Sequence, residues 1–256
     1  MSEPGREGDR PVSTPVVKSA ERAFAILEYF DQKRRPLSLK NITDHFKYPA
    51  SSASGLLKSL VHNGYLSYDR YSRSYMPTSR LSTLGNWVPS DLCNPAMMML
   101  MGHLHEMTQE TVVLGTQSDL YAQYMHVIPS SLPLRVHMKP GTLRPLASSG
   151  IGLAILSARS DEDIDLIVRR LNIDLQADEQ LKFSSVLAEV EQVRREGFAF
   201  SRNKICAGVG LIAILLPPSA NGPLMALGIG GPVWRLEEHA ETLLKTMQEG
   251  VAALAA

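Results

Sequence analysis

In the first third of the chain the apolar residues recur at helical spacing in three short runs, and then at strand spacing. The first helix is predicted from about Ala20 to Lys33, with Ala23, Phe24, Leu27 and Phe30 on one stripe. The second runs from about Leu39 to Lys47, capped by Ser38, with Leu39, Ile42 and Phe46 on one face. After a tight turn at Tyr48-Pro49, the third runs from about Ala50 to Asn63 and buries Leu56, Leu57, Leu60 and Val61. Gly64 ends it as a left-handed cap residue. Tyr65, Leu66 and Tyr68, then Tyr71, Arg73 and Tyr75, form two strand-like runs about Asp69-Arg70. Three helices and a hairpin in that order predict a winged helix-turn-helix, a module that lays its last helix in the major groove of DNA.

The later pattern is mixed. Ser79 to Val88 is a connector, helical at its start and broken near Pro89. A Met-rich helix follows from Asn94 to Gln109, then strand-like runs at Glu110–Thr116 and Leu120–Ile128. Ser130 to Pro145 reads as irregular. Helices are predicted at Ser148–Arg159, Asp161–Leu171 and Phe183–Glu196, and strands at Phe198–Arg202, Gly210–Leu216 and Leu224–Ile229. An Asn221-Gly222 turn joins the last two strands, and a single helix closes the chain from Glu237 to Ala255. The order predicts an α+β domain built on one central sheet. The expected organisation is a disordered tail over 1–16, the winged helix over 17–79, a linker helix over 80–90 and a second domain over 91–256.

Composition sharpens this. At 44% hydrophobic the chain has enough apolar residues for true cores, but no run of 18 apolar residues, so no membrane span is expected. The polar N-terminus carries no apolar signal region, and two cysteines, Cys93 and Cys206, make no disulfide framework; both point to the cytoplasm. Net charge is zero but unevenly spread. Residues 1–80 hold 13 Lys and Arg against 8 Asp and Glu, an excess of +5, and residues 81–256 hold 13 against 18, an excess of −5. The basic excess falls on the predicted winged helix.

Six segments in order resemble the IclR family of bacterial transcription regulators. They are Ser19 to Leu27, Pro36 to Leu39, Leu56 to Leu60 with Gly64-Tyr65-Leu66, Pro145 to Gly152, Arg195 to Arg202, and Gly230-Gly231-Pro232. The resemblance covers nearly everything after residue 17. It implies a GAF-like effector-binding second domain, a homodimer or tetramer, an operator in double-stranded DNA, and a small organic ligand that changes DNA affinity.

The candidate DNA-binding residues are Ser51, Ser52, Ser54 and Lys58 on the third helix, with Arg70 and Arg73 at the wing tip. The family's recognition helix commonly carries basic residues where this chain has Ala50 and Gly55. Serine hydroxyls can donate to or accept from several base edges and so discriminate poorly. For Ser51 and Ser52, helix capping or phosphate contact stands beside base contact. For the two arginines, a minor-groove or phosphate contact stands beside a solvated turn.

The candidate effector-binding residues are Arg144, Leu146, Ser149, Gly150, Ser201, Val209, Leu211, Gly228 and Gly230. Relatives that bind small α-keto acids resemble one another in an acidic residue and two serines; the corresponding residues here are Ser201, Gly228 and Gly230. Fewer polar groups and more glycine predict a roomier, greasier cavity, suited to an aromatic or otherwise apolar acid. The start of the Ser148–Gly152 helix would face the carboxylate. Arg144 could pair with it, or lie on the surface.

An enzyme is not expected, nor a catalytic residue, metal or cofactor. HExxH, CxxC, GxSxG and GxxxxGK[ST] are all missing. His103 and His105, two apart on a helix, lie on different faces, and Cys206 is expected to be buried and inert. Met97, Met98, Met99, Met101 and Met107 are expected in core and subunit packing, with Met97, Met101 and Leu104 at an interface. The alternative reading is a GAF-like sensor or enzyme whose winged helix mediates protein contacts.

Overall fold

The computed structural model describes residues 17–84, 95–173, 175–218 and 222–254. They fall into two compact units, one within 11–88 and one within 89–256. The expected tail, the later connector with Pro89 and Cys93, and Asn221 of the expected turn lie outside the described residues.

The first unit contains α1 (Lys18–Lys33), β1 (Leu37–Ser38), α2 (Leu39–Phe46), α3 (Ala50–His62), β2 (Leu66–Asp69), β3 (Ser74–Pro77) and α4 (Arg80–Leu84). Its antiparallel strands lie in the order β1-β3-β2. Ser38 caps α2 through a reciprocal pair: its hydroxyl accepts from the Asn41 N–H at 3.2 Å, and the Asn41 side chain accepts from the Ser38 N–H at 3.0 Å. Such a cap is worth about 1 kcal/mol. Gly64 follows α3 at φ +77°, where a glycine is least strained. Its carbonyl accepts from Thr78 Oγ1 at 2.5 Å, which ties the end of the hairpin to the end of α3.

The core face of α1 is rotated from the expected one. Ile26, Tyr29 and Phe30 are buried, whereas Phe24 is 66% exposed. Phe30 is shared with the expected stripe of 23, 24, 27 and 30, and Leu27 flanks the core; positions 26, 29 and 30 have helical spacing as good, and only packing against Ile42 and Leu57 selects between the two. Along α3, Ala53, Leu57 and Leu60 are buried, and Leu56 and Val61 only flank the core.

The second unit contains α5 (Pro95–Thr108), β4 (Thr111–Ser118), β5 (Tyr121–Ile128), β6 (Leu143–Pro145), a 3-10 turn (Leu146–Ser148), α6 (Gly150–Leu156), α7 (Asp161–Asn172), α8 (Phe183–Glu196), β7 (Ala199–Arg202), β8 (Val209–Leu215), β9 (Met225–Pro232), α9 (Val233–Glu238) and α10 (Ala240–Leu254). Six antiparallel strands run in the order β6-β5-β4-β9-β8-β7. Alternate side chains divide between two cores, as strand geometry requires. Val113, Leu211, Ala213 and Ala226 meet α6 and α8 through Ile151, Ile155 and Val190. Val112, Leu114, Ile212, Ile214, Leu227 and Ile229 meet α5, α9 and α10.

This packing revises three expectations. The stretch read as irregular holds β6. The single closing helix is two, broken at His239, where α9 buries Leu236 and α10 redirects Leu243, Met247 and Val251 to the sheet. Met97, Met101 and Leu104, expected at a subunit interface, are buried within their own unit; Met99 and Met107 are exposed instead. None of the described helices is long and apolar enough to cross a membrane.

Candidate functional site

The recognition helix α3 turns Ser51, Gly55, Lys58 and Ser59 outward. Ser54 lies at the border of that face and is half-buried. Ser52 is also half-buried and is engaged from inside the unit: Arg22 of α1 donates to its Oγ at 3.3 Å while lying 4.7 Å over the Tyr48 ring. Tyr48 in turn stacks on Phe46. No side chain caps α3, whose N-cap residue is Pro49, so the capping alternative for Ser51 and Ser52 is not realised. A Cβ added at Gly55 would meet nothing within 4 Å, so this face is open.

The wing is a hairpin with a fixed tip. The Asp69 carboxylate accepts from the Ser72 hydroxyl at 2.6 Å and the Tyr71 N–H at 2.9 Å, and these bonds, the first above all, hold its pKa below the ordinary carboxylate value. Arg73 takes φ +49° to close the turn. Arg70 and Arg73 are exposed, and neither forms an ion pair among the described residues. Between them Tyr71 is fully exposed, a feature the sequence pattern assigned to a strand.

The second unit holds a cavity of about 280 Å³. Six of the nine expected effector residues line it: Arg144, Ser149, Gly150, Ser201, Val209 and Leu211. Leu146, Gly228 and Gly230 do not. Leu146 is fully buried in the 3-10 turn. Gly228 offers no room, because a Cβ there would lie 2.9 Å from Leu211 Cδ2 and 3.0 Å from Ile151 Cδ1. Over Gly230 the space is taken by Met138, 2.6 Å from the position of a Cβ. The glycines thus serve close packing, and the expected roomy floor is closed by Leu211 and Met138.

The lining missed in the sequence comes largely from loops. Arg135, Val136, His137 and Met138 form one wall, Lys204, Ile205 and Cys206 another, and Tyr124 of β5 a third. Cys206 is exposed rather than buried. Only Tyr124 had a pattern signal, as an inward position of a strand. Ser149 is the N-cap of α6 and accepts from the Gly152 N–H at 3.0 Å, which leaves its hydroxyl proton for another partner. Ser201 is 6% exposed and donates to Leu211 O at 3.3 Å. Burial pushes the Tyr124 phenol up to about 12, against the opposing pull of Arg144, which hydrogen-bonds to it. Tyr124 therefore remains a neutral donor at physiological pH. The described lining carries Arg135, Arg144 and Lys204 and no carboxylate; Lys204 is also paired with Glu189. Elsewhere, His105 Nδ1 lies 2.9 Å from Glu110 O, and no three metal-binding side chains gather among the described residues.

Comparison with known proteins places both units. Residues 19–70 match the IclR helix-turn-helix domain, and residues 91–255 match the bacterial transcriptional regulator IclR C-terminal domain. The chain is 25% identical over 241 residues to the transcriptional regulator KdgR of Escherichia coli K12, covering 93% of this chain and 89% of that protein. It is 24% identical over 265 residues to the acetate operon repressor of Salmonella typhimurium, covering 95% and 92%. Its fold matches the effector domain of an IclR regulator from Acinetobacter sp. ADP1, with a TM-score of 0.58 and 32% identity over 62% of this chain and 94% of that one. These relatives are regulators of transcription, which disfavours the enzyme alternative. Two family domains, in the order the sequence implied and spanning most of the chain, establish that this protein belongs to the IclR family of DNA-binding bacterial transcriptional regulators.

Proposed function

We propose that the protein binds operator DNA through α3 and the wing, and that a small organic acid with an apolar body, seated in the cavity, changes that binding. The observation that carries the ligand class is the lining: three cationic side chains and no carboxylate, beside Met138, Ile205, Val209 and Leu211. A carboxylate can take hydrogen bonds from Ser149, Tyr124 and Arg144, and guanidinium donors suit it in charge and geometry. The volume is close to the lower end of small-molecule sites, roughly 300–1,000 Å³, which suits a single-ring or short branched acid. On DNA, Ser51, Ser54 and Lys58 would face the groove and Arg70 and Arg73 the backbone, with Ser52 held by Arg22. The weak basic excess of one winged helix calls for two half-sites, hence a homodimer or tetramer, acting where the chromosome lies, in the cytoplasm.

The test is a thermal-shift and DNA-retention screen of the full chain with benzoate, 4-hydroxybenzoate, pyruvate and isovalerate. The reading expects the ring or branched acids to raise Tm and change DNA affinity, and pyruvate to do neither. Stabilisation by pyruvate alone would overturn the apolar-acid reading.

A further inference from the structure

Both loops that wall the cavity are fastened to α9, which lines none of it. Arg235 of α9 donates through Nη2 to Leu134 O at 2.9 Å and through Nε to the Glu110 carboxylate. The residue after Glu110, Thr111, donates to Val136 O at 3.2 Å. The Arg135–Met138 wall is thereby tied down at 134 and at 136. The opposite wall, Lys204–Cys206, hangs between β7 and β8. Its base is held by Arg202 Nε donating to Glu237 Oε1 of α9 at 2.9 Å, and by the Val233 N–H donating to Gly208 O at 2.9 Å.

The two fastenings are unequal. The side chains of Arg202 and Glu237 are about half exposed, at 47% and 50%, and those of Lys204 and Glu189, which tie the same wall to α8, are 27% and 39% exposed, so water and salt screen both pairs. Glu110 is 4% exposed and Arg235 17%. Glu110 fits there only because residue 231 is glycine, whose Cβ would stand 2.7 Å from Oε2. Among the described residues Oε2 has no hydrogen-bond partner, and Arg235 is the cation that compensates the buried charge. Removing one member of such a pair strands the other, so this tie resists opening.

We propose that Arg235 is a positioning residue of the pocket: through Glu110 and Leu134 it fixes the 134–138 wall, so the 203–208 wall is the one that yields to an entering ligand. This rests on the reading of the cavity as the effector site. The test is hydrogen–deuterium exchange on the ligand-free full chain, comparing the parent with Arg235→Gln, Glu110→Gln and Arg202→Gln. Arg235→Gln should speed exchange in residues 132–139 about tenfold, with the sheet strands as in the parent. Glu110→Gln, which keeps an acceptor for Arg235, should do so more weakly, and Arg202→Gln should loosen only 203–208. Unchanged exchange at 132–139 in both Arg235→Gln and Glu110→Gln overturns the proposal. So does loosening of the whole sheet in both, which would make the pair merely structural. Benzoate titration adds a second arm: Arg235→Gln should weaken binding about tenfold, because an ordered wall is part of the affinity. A parent that does not bind benzoate counts against the effector reading, while the exchange pattern still decides the role of Arg235.

Discussion

Arg22 Nη1 donates to Ser52 Oγ at 3.3 Å, so the first helix of the winged unit holds a residue of the recognition helix by its side chain. The guanidinium also covers the Tyr48 ring, at the turn that leads into α3. Ser52 is thus a strut for α3, and the exposed face is left to Ser51, Gly55, Lys58 and Ser59, with Ser54 at its border. Arg22→Ala and Ser52→Ala should each lower stability, and their effects should not add. A double-mutant cycle by urea unfolding is expected to give a coupling of about 0.5–1 kcal/mol. A coupling of zero would mean that the bond contributes nothing.

Gly55 stands mid-helix with open space where its Cβ would be. Gly55→Ala should stabilise the winged unit by about 0.5–1 kcal/mol, read as a rise in Tm. Gly55→Arg should tighten DNA binding and steepen the dependence of log K on log salt by about one. A salt slope equal to the parent's would show that this face of α3 does not meet DNA.

Arg73 closes the wing turn at φ +49°, a conformation that costs arginine more than glycine. Arg73→Ala should weaken binding to all sequences alike and flatten the salt slope. Arg73→Gly should do the same without loss of stability, since glycine takes that φ freely. If Arg73→Gly binds as the parent does, the wing tip makes no contact with DNA.

Tyr124 titrates at about 12 in the folded chain against about 10 when exposed, chiefly through burial. The unfolded chain therefore loses this proton first as pH rises. Stability should be unaffected by Tyr124 below pH 10 and fall between pH 10 and 12, by on the order of 2 kcal/mol. Tyr124→Phe should remove that part of the alkaline limb in chemical denaturation, and an unchanged limb would place the phenol in water.

Much of the fold is legible in periodicity because the elements concerned are amphipathic with one clear face. Ser38 marks the start of α2 through its cap, and α8 begins at Phe183 and ends at Glu196 as its pattern implies. The failures share a cause. On α1 two apolar stripes compete, and tertiary packing chooses the one with Ile26. Gly228 and Gly230 were read as space, but a glycine facing a core is filled from across the layer, here by Leu211, Ile151 and Met138. For the same reason Gly228→Leu would strike the core and report on folding rather than on the ligand. Of the cavity, Ser149, Gly150, Ser201, Val209 and Leu211 were reached through the family resemblance rather than from spacing, and Arg144 sits on β6, in a stretch whose pattern reads as irregular. The walls at 135–138 and 204–206 were legible in neither way, since loops have no period and their placement depends on the long-range ties from Arg235 and Arg202.

We propose that an acid in this cavity governs the grip on DNA. It is tested most directly by the affinity of the full chain for a genomic fragment that the chain itself selects from a pool. Affinity is measured at fixed salt with rising benzoate or 4-hydroxybenzoate, for the parent and for Val209→Phe, which fills the cavity wall. The parent should shift by about 5- to 150-fold, the usual range of coupling between two sites, and the filled variant by little or nothing. An equal response in both, or a parent that selects no sequence at all, would contradict it.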